Sequence, residues 1–114
     1  MLSAEAISDP LYSIFGGDPE MGELVEAFID RVPARRRTLC ELFAEGNWNE
    51  LERVAHQLKG AAGSYGFDVL THVAARLEQV VKMRETHAVI SQALEAVVIC
   101  CDRCRAGAPD AIAR

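Results

Sequence analysis

The chain has 114 residues, half of them hydrophobic and a quarter charged, with a formal net charge of −5. That length supports one domain with a real core and is too short for two, and the negative balance excludes nucleic acid or an anionic membrane as the partner of the whole surface. The longest apolar run, AVVICC at 96–101, falls far short of the roughly 20 residues of a membrane span, and MLSAEAISDP has neither the basic head nor the apolar segment of a secretory signal.

In chain order, a short first helix is expected near Asp9-Pro10-Leu11-Tyr12, with proline in its first turn and Gly16-Gly17 stopping it. Asp18 then reads as an N-cap, with Pro19 and Glu20 at the positive end of a second helix. The apolar stripe of that helix is Met21, Leu24, Val25, Phe28, Val32, Leu39, Leu42 and Phe43. Pro33 lies within the stripe and is expected to kink or divide it, because its nitrogen cannot donate to Ile29. Gly46 ends the segment. Asn47, with Glu50 three residues on, imitates a capping box for a third helix that should stop near Gly66.

A fourth helix uses Leu70, Val73, Leu77 and Val80/Val81 and runs to about Met83. A fifth starts around Thr86, uses Ile90, Leu94, Val97, Cys101 and Cys104, and is closed by Gly107 and Pro109. No alternating strand pattern stands out. The expected fold is all-α, an antiparallel four-helix bundle with a short additional N-terminal helix. Residues 1–114 form one domain in this reading, with a core of about 9–105 and a short tail at 106–114.

The third helix carries AHQLKGAAGSYGF, residues 55–67, in which Gly60, Gly63 and Gly66 crowd around one histidine. At about 100° per residue, Leu51, Val54, Leu58, Ala61, Ala62 and Tyr65 form one face. His56 lies almost opposite, with Lys59, Gly60 and Gly63 beside it and Glu52 and Arg53 continuing the same face. Glycine costs a helix interior roughly 1 kcal/mol relative to alanine, and a solvated face gains nothing from it. Gly60 and Gly63 are therefore expected to clear space for another protein's backbone to approach the imidazole.

An ordinary imidazole, with a pKa near 6.5, is mostly neutral and nucleophilic at pH 7. The ammonium of Lys59 would stabilise negative charge arriving on the ring, and the negative group that histidine accepts most readily is a phosphoryl group. Such transfer needs positioning and charge neutralisation more than covalent help. The chain has no glycine-rich phosphate loop, no Walker-type lysine and no aspartate cluster for a metal, so the donor site must come from a partner.

The run Ala55-His56-Gln57-Leu58-Lys59-Gly60, followed by Gly63 and Gly66, resembles the signature of histidine-containing phosphotransfer (HPt) domains. Phe15-Gly16-Gly17-Asp18-Pro19-Glu20 and Arg76-Leu77-Glu78 resemble the same family in the same order, so the likeness spans about Asp9 to Arg105. The resemblance implies a phosphocarrier rather than an enzyme. His56 would take a phosphoryl group through Nε2 from the aspartyl phosphate of a response-regulator receiver domain and pass it to another receiver aspartate. Mg²⁺ and the catalytic groups would belong to the receiver, with no cofactor of the chain's own. Lys59 would neutralise phosphate charge, and Glu78 would orient the ring from the next helix or, alternatively, pair with Lys82 one turn on. Gly60, Gly63, Gln57 and Arg53 would form the receiver-docking face. The implied partners are receiver domains and a hybrid sensor histidine kinase, with the chain a cytoplasmic monomer. The alternatives are a receiver-binding helical module that carries no phosphate and, on the strength of CCDRC alone, a cysteine-based metal or redox bundle.

His72 and His87 read as surface residues with nothing cleared around them, although His87 lies near the electropositive start of a helix. Three of the four cysteines crowd into CCDRC at 100–104, which is not a spread disulfide framework and fits a reducing compartment. Cys101 and Cys104 have the CxxC spacing of metal or redox sites but fall on the apolar stripe, where cysteine is a small hydrophobe. A zinc site would need more ligands, and only Cys40 is left over. Arg31, Arg35, Arg36 and Arg37 form a basic cluster that reads as a solvated face or as a dock for an acidic partner.

Overall fold

The capping signals and apolar stripes divide the chain as follows in the computed structural model, which describes residues 9–108. A two-residue strand β1 (Leu11–Tyr12) precedes four helices, α1 (Gly22–Glu45), α2 (Trp48–Ser64), α3 (Asp68–Lys82) and α4 (His87–Arg103), and a second short strand β2 (Cys104–Arg105) follows. The bulk of the signal-peptide reading at residues 1–8, and the role given to Pro109 in the tail, lie outside the described residues.

Each connection has a local cause. At the end of α1 the N–H of Asn47 reaches back to Leu42 O at 3.0 Å, and the Asn47 side chain then accepts from Glu50 N at 3.4 Å to start α2. Thr86 does the same for α4, its hydroxyl accepting from Val89 N at 3.2 Å. Asp18 caps a turn rather than the helix proper, accepting from Glu20 N and Met21 N, and that turn feeds into α1 at Gly22. Pro33 neither divides α1 nor ends it, and the helix runs unbroken from Gly22 to Glu45. Burial of Val25, Phe28, Val32, Leu39 and Leu42 on both sides of the proline holds the two halves in one helix.

The core is one cluster fed by all four helices. Leu39, Leu51, Leu58, Leu70, Leu77, Val81 and Val97 are fully shielded from solvent within it. Phe28 anchors α1 to the far end of α2, its ring centroid 5.4 Å from those of both Tyr65 and Phe67. Because Phe28 is early in α1 and Tyr65 follows α2, these two helices run antiparallel.

Three further expectations are corrected. Among the described residues the short N-terminal helix is not present: Leu11 and Tyr12 are extended and pair in parallel with Cys104 and Arg105. An isolated helix of a few residues is marginal in water, and here the backbone finds tertiary partners instead. Ser13 donates its hydroxyl to Tyr65 O, Ile14 N donates to Gly66 O at 3.0 Å, and a Cβ on Gly16 would sit 1.9 Å from Gly107 O. Cys104 lies beyond the last turn of α4, though it is buried. Leu24, placed on the core stripe from its spacing, is 48% exposed because the first turn of α1 faces a groove between α1 and α2.

Candidate functional site

Burial of Val54, Ala55 and Leu58 fixes the rotation of α2. His56 and Gln57, between them, have to point outward, and the His56 side chain is 64% exposed. On α3, burial of Ala74, Leu77 and Val81 sets Glu78 at the edge facing α2, with its side chain 19% exposed. The histidine and the glutamate therefore meet across the α2–α3 seam.

Glu78 Oε2 lies 2.7 Å from His56 Nδ1, and Glu78 Oε1 lies 2.6 Å from Lys59 Nζ. One carboxylate thus holds both the His56 ring and the Lys59 ammonium, and the alternative pairing of Glu78 with Lys82 is not made. The Lys59 ammonium, hydrogen-bonded to it, holds the Glu78 carboxyl below its ordinary value; His56 assists, and partial desolvation opposes both. An ionised Glu78 can only accept, so in a neutral ring the proton belongs on Nδ1 and Nε2 keeps the lone pair.

The three glycines of residues 55–67 separate into different tasks. A Cβ on Gly60 would meet nothing within 4 Å, and one on Gly63 would touch only the Thr71 side chain at 3.8 Å. Gly66 is structural: its φ is +78°, and a Cβ there would lie 2.7 Å from Ile14 and 2.9 Å from Phe15 and from the Ser13 hydroxyl. The surface beside His56 is therefore open at Gly60, lightly packed at Gly63 and closed at Gly66.

Gln57 is exposed beside the histidine, and Arg53, one turn earlier, is turned onto Glu50, with Nε 2.5 Å from Oε1. His72 is exposed on α3, and His87 is exposed at the start of α4 with its ring 4.7 Å from that of Phe43. Cys100, Cys101 and Cys104 are buried, and burial pushes their thiols up to about 11, 12 and 12. They are protonated at neutral pH and poor as nucleophiles or metal ligands. Among the described residues no group of three or more His, Cys, Asp or Glu side chains converges as a metal site.

The basic cluster divides. Arg36 reaches Asp102 at the end of α4, Nε to Oδ1 at 2.9 Å, whereas Arg31 and Arg35 line the α1–α2 groove. Sequence reasoning missed this division, and it missed the Ser13 pin on Tyr65. Nothing in a run of arginines states which neighbouring helix each one will face.

Among the described residues no helix is long and apolar enough to cross a membrane. No curated protein and no solved structure matches the chain. The family model of the Hpt domain matches residues 23–107, from the first turn of α1 to the segment beyond β2. Hpt domains are phosphocarrier modules that carry phosphoryl groups on histidine in phosphorelays and interact with the receiver domains of two-component systems. With that match spanning most of its length and all four helices of its bundle, this chain belongs to the Hpt domain family.

Proposed function

We propose that His56 is the phosphoacceptor, taking a phosphoryl group from a receiver-domain aspartyl phosphate and passing it to the aspartate of another receiver. The observation that carries this reading is the pairing of an exposed ring with a carboxylate on one side only: Glu78 holds Nδ1 and leaves Nε2 free.

In the forward step the Nε2 lone pair attacks phosphorus in line, a P–N bond forms, and the P–O bond to the aspartyl carboxylate breaks and returns that carboxylate. No proton has to move. Nδ1–H stays on the ring, whose new positive charge is balanced by Glu78. The phosphoryl oxygens bring negative charge to the surface of α2, where Lys59 can exchange Glu78 for them. Reversal of the same step onto a second receiver completes the relay. The receiver supplies Mg²⁺ and its own catalytic groups, and this chain supplies an oriented nucleophile and one cation. Gly60, Gly63, Gln57 and Arg53 surround the ring as the face against which a receiver closes. A hybrid sensor histidine kinase is the upstream source, and the protein acts as a cytoplasmic monomer.

The test is incubation with phosphorylated receiver domains and mapping of the label. It should appear on His56, as an acid-labile and alkali-stable modification, and be absent from a His56→Gln protein. Full labelling of that variant would sink the assignment, and binding of receivers with no label on the wild-type chain would favour the receiver-binding module instead.

A further inference from the structure

The groove between α1 and α2 has a volume of about 390 Å³ and opens beside Gly60. One end is apolar, with Leu24, Phe28 and Tyr65 along it; the other carries Arg31 and Arg35. The two arginines are one turn apart on α1 and lie on the same face. Among the described residues neither is ion-paired, in contrast to Arg36, Arg53 and Arg84. Arg35 Nε is closed off from solvent and has no hydrogen-bond acceptor, an arrangement that costs free energy until an acceptor arrives.

The groove is continuous with the face of His56. Phe28 packs against Tyr65 with ring centroids 5.4 Å apart, and the antiparallel run of the two helices sets Arg35 roughly two turns up α1 level with the turn of α2 that holds His56. Gly60 belongs to both surfaces, with open space where a side chain would stand. A protein that brings an aspartyl phosphate to His56 has to cover this groove.

We propose that the groove is a specificity site for the receiver, taking a carboxylate side chain between Arg31 and Arg35 and an apolar neighbour against Leu24, Phe28 and Tyr65. This rests on the phosphotransfer reading and adds to it the residues that select the partner. Charge is the reason for committing to an acidic occupant. The chain is net negative, so an acidic partner is repelled by most of its surface and attracted where unpaired arginines stand. A guanidinium short of an acceptor is matched by a carboxylate in a bidentate geometry that lysine cannot reproduce. A hydrophobic residue 48% exposed at the other end of the groove supplies an apolar anchor.

The experiment uses a panel of isolated receiver domains phosphorylated with acetyl phosphate, and phosphoramidate as a small donor that needs no docked surface. Wild-type protein, Arg31→Ala/Arg35→Ala, and Arg31→Met/Arg35→Met, which keeps apolar stems, are compared for receiver affinity, transfer rate and phosphoramidate labelling of His56. Both double variants should bind the accepted receiver about tenfold or more weakly and lose most of the salt dependence of transfer, with phosphoramidate labelling unchanged. Arg35→Lys should recover only part of the loss. Double variants that accept from the receiver at the wild-type rate overturn the groove assignment alone. If no receiver phosphorylates the wild-type chain, the phosphotransfer reading fails and takes the groove with it.

Discussion

Glu78 and His56 meet across the α2–α3 seam with Oε2 2.7 Å from Nδ1, and the second oxygen of the same carboxylate holds Lys59. Glu78→Gln can still accept from Nδ1–H but loses the charge, whereas Glu78→Ala loses both. Transfer from a phosphorylated receiver should fall roughly tenfold in the alanine variant and clearly less in the glutamine one. Ring ¹⁵N shifts should show the Nδ1–H tautomer giving way in Glu78→Ala alone. Equal rates in all three proteins would leave Glu78 without a positioning role.

The same carboxylate gives stability a pH dependence of known sign. Its folded value lies below the ordinary 4.5, so the unfolded chain binds its proton more readily than the folded one. The contribution is fully present above the unfolded value and is lost as pH falls through the depressed folded value. Urea denaturation of wild type and Glu78→Gln should give a constant difference at neutral pH that closes below about pH 4.5. A difference that persists unchanged at pH 3 would contradict the ion-pair account.

Lys59→Ala should slow transfer from a receiver and leave the helical content as it is, since the side chain is on the polar face and, among the described residues, Glu78 alone is ion-paired with it. Removing one cation near the developing phosphoryl charge should cost on the order of tenfold in rate. Wild-type kinetics across a range of salt concentrations would reduce Lys59 to a surface cation.

Gly60 and Gly66 should respond to alanine in opposite directions. Gly60→Ala meets open space and should stabilise the bundle by roughly 0.5–1 kcal/mol. Gly66→Ala must enter at φ +78° against Ile14, Phe15 and Ser13 and should cost about 1–2 kcal/mol or more. Gly60→Gln should fold normally and take phosphoramidate normally, yet bind receivers poorly. Thermal melts of the two alanine variants that shift the same way would show that the two positions have been misread.

Of the four thiols, Cys40 alone is partly exposed. A thiol reagent at neutral pH should modify it in the native protein, and Cys100, Cys101 and Cys104 only after unfolding, because burial keeps those three protonated. Rapid native labelling inside CCDRC would reopen the redox reading.

The bundle was legible because its information is local. Asn47 and Thr86 announce the starts of α2 and α4, and apolar spacing gives the faces of all four helices. The exposure of His56 followed from the same periodicity, since Val54, Ala55 and Leu58 can only be buried by turning it outward. What stayed hidden depends on distant segments. Leu11–Tyr12 became extended because Cys104–Arg105 supplies its backbone partners, which no window around residue 11 contains. Leu24 fits the stripe by spacing and faces a groove by the placement of α2. Glu78 had two partners at helical or cross-helix distance, and only the meeting of α2 with α3 chose His56 and Lys59 over Lys82.

The parallel pairing of β1 with β2 has a mechanical side. In a parallel pair, tension applied to the chain before Leu11 and after Arg105 pulls the two strands past each other, so their hydrogen bonds are loaded together in shear instead of being unzipped one at a time. Ser13 and Gly66 stand behind that ladder, so a pull first meets a small clamp where the chain enters and leaves the bundle. The helices bearing His56 and Glu78 are reached only after the clamp slips. In a single-molecule stretching trace, extension from the two ends should show a resisting step before the helices unravel, and replacing Tyr12 with proline should remove that step.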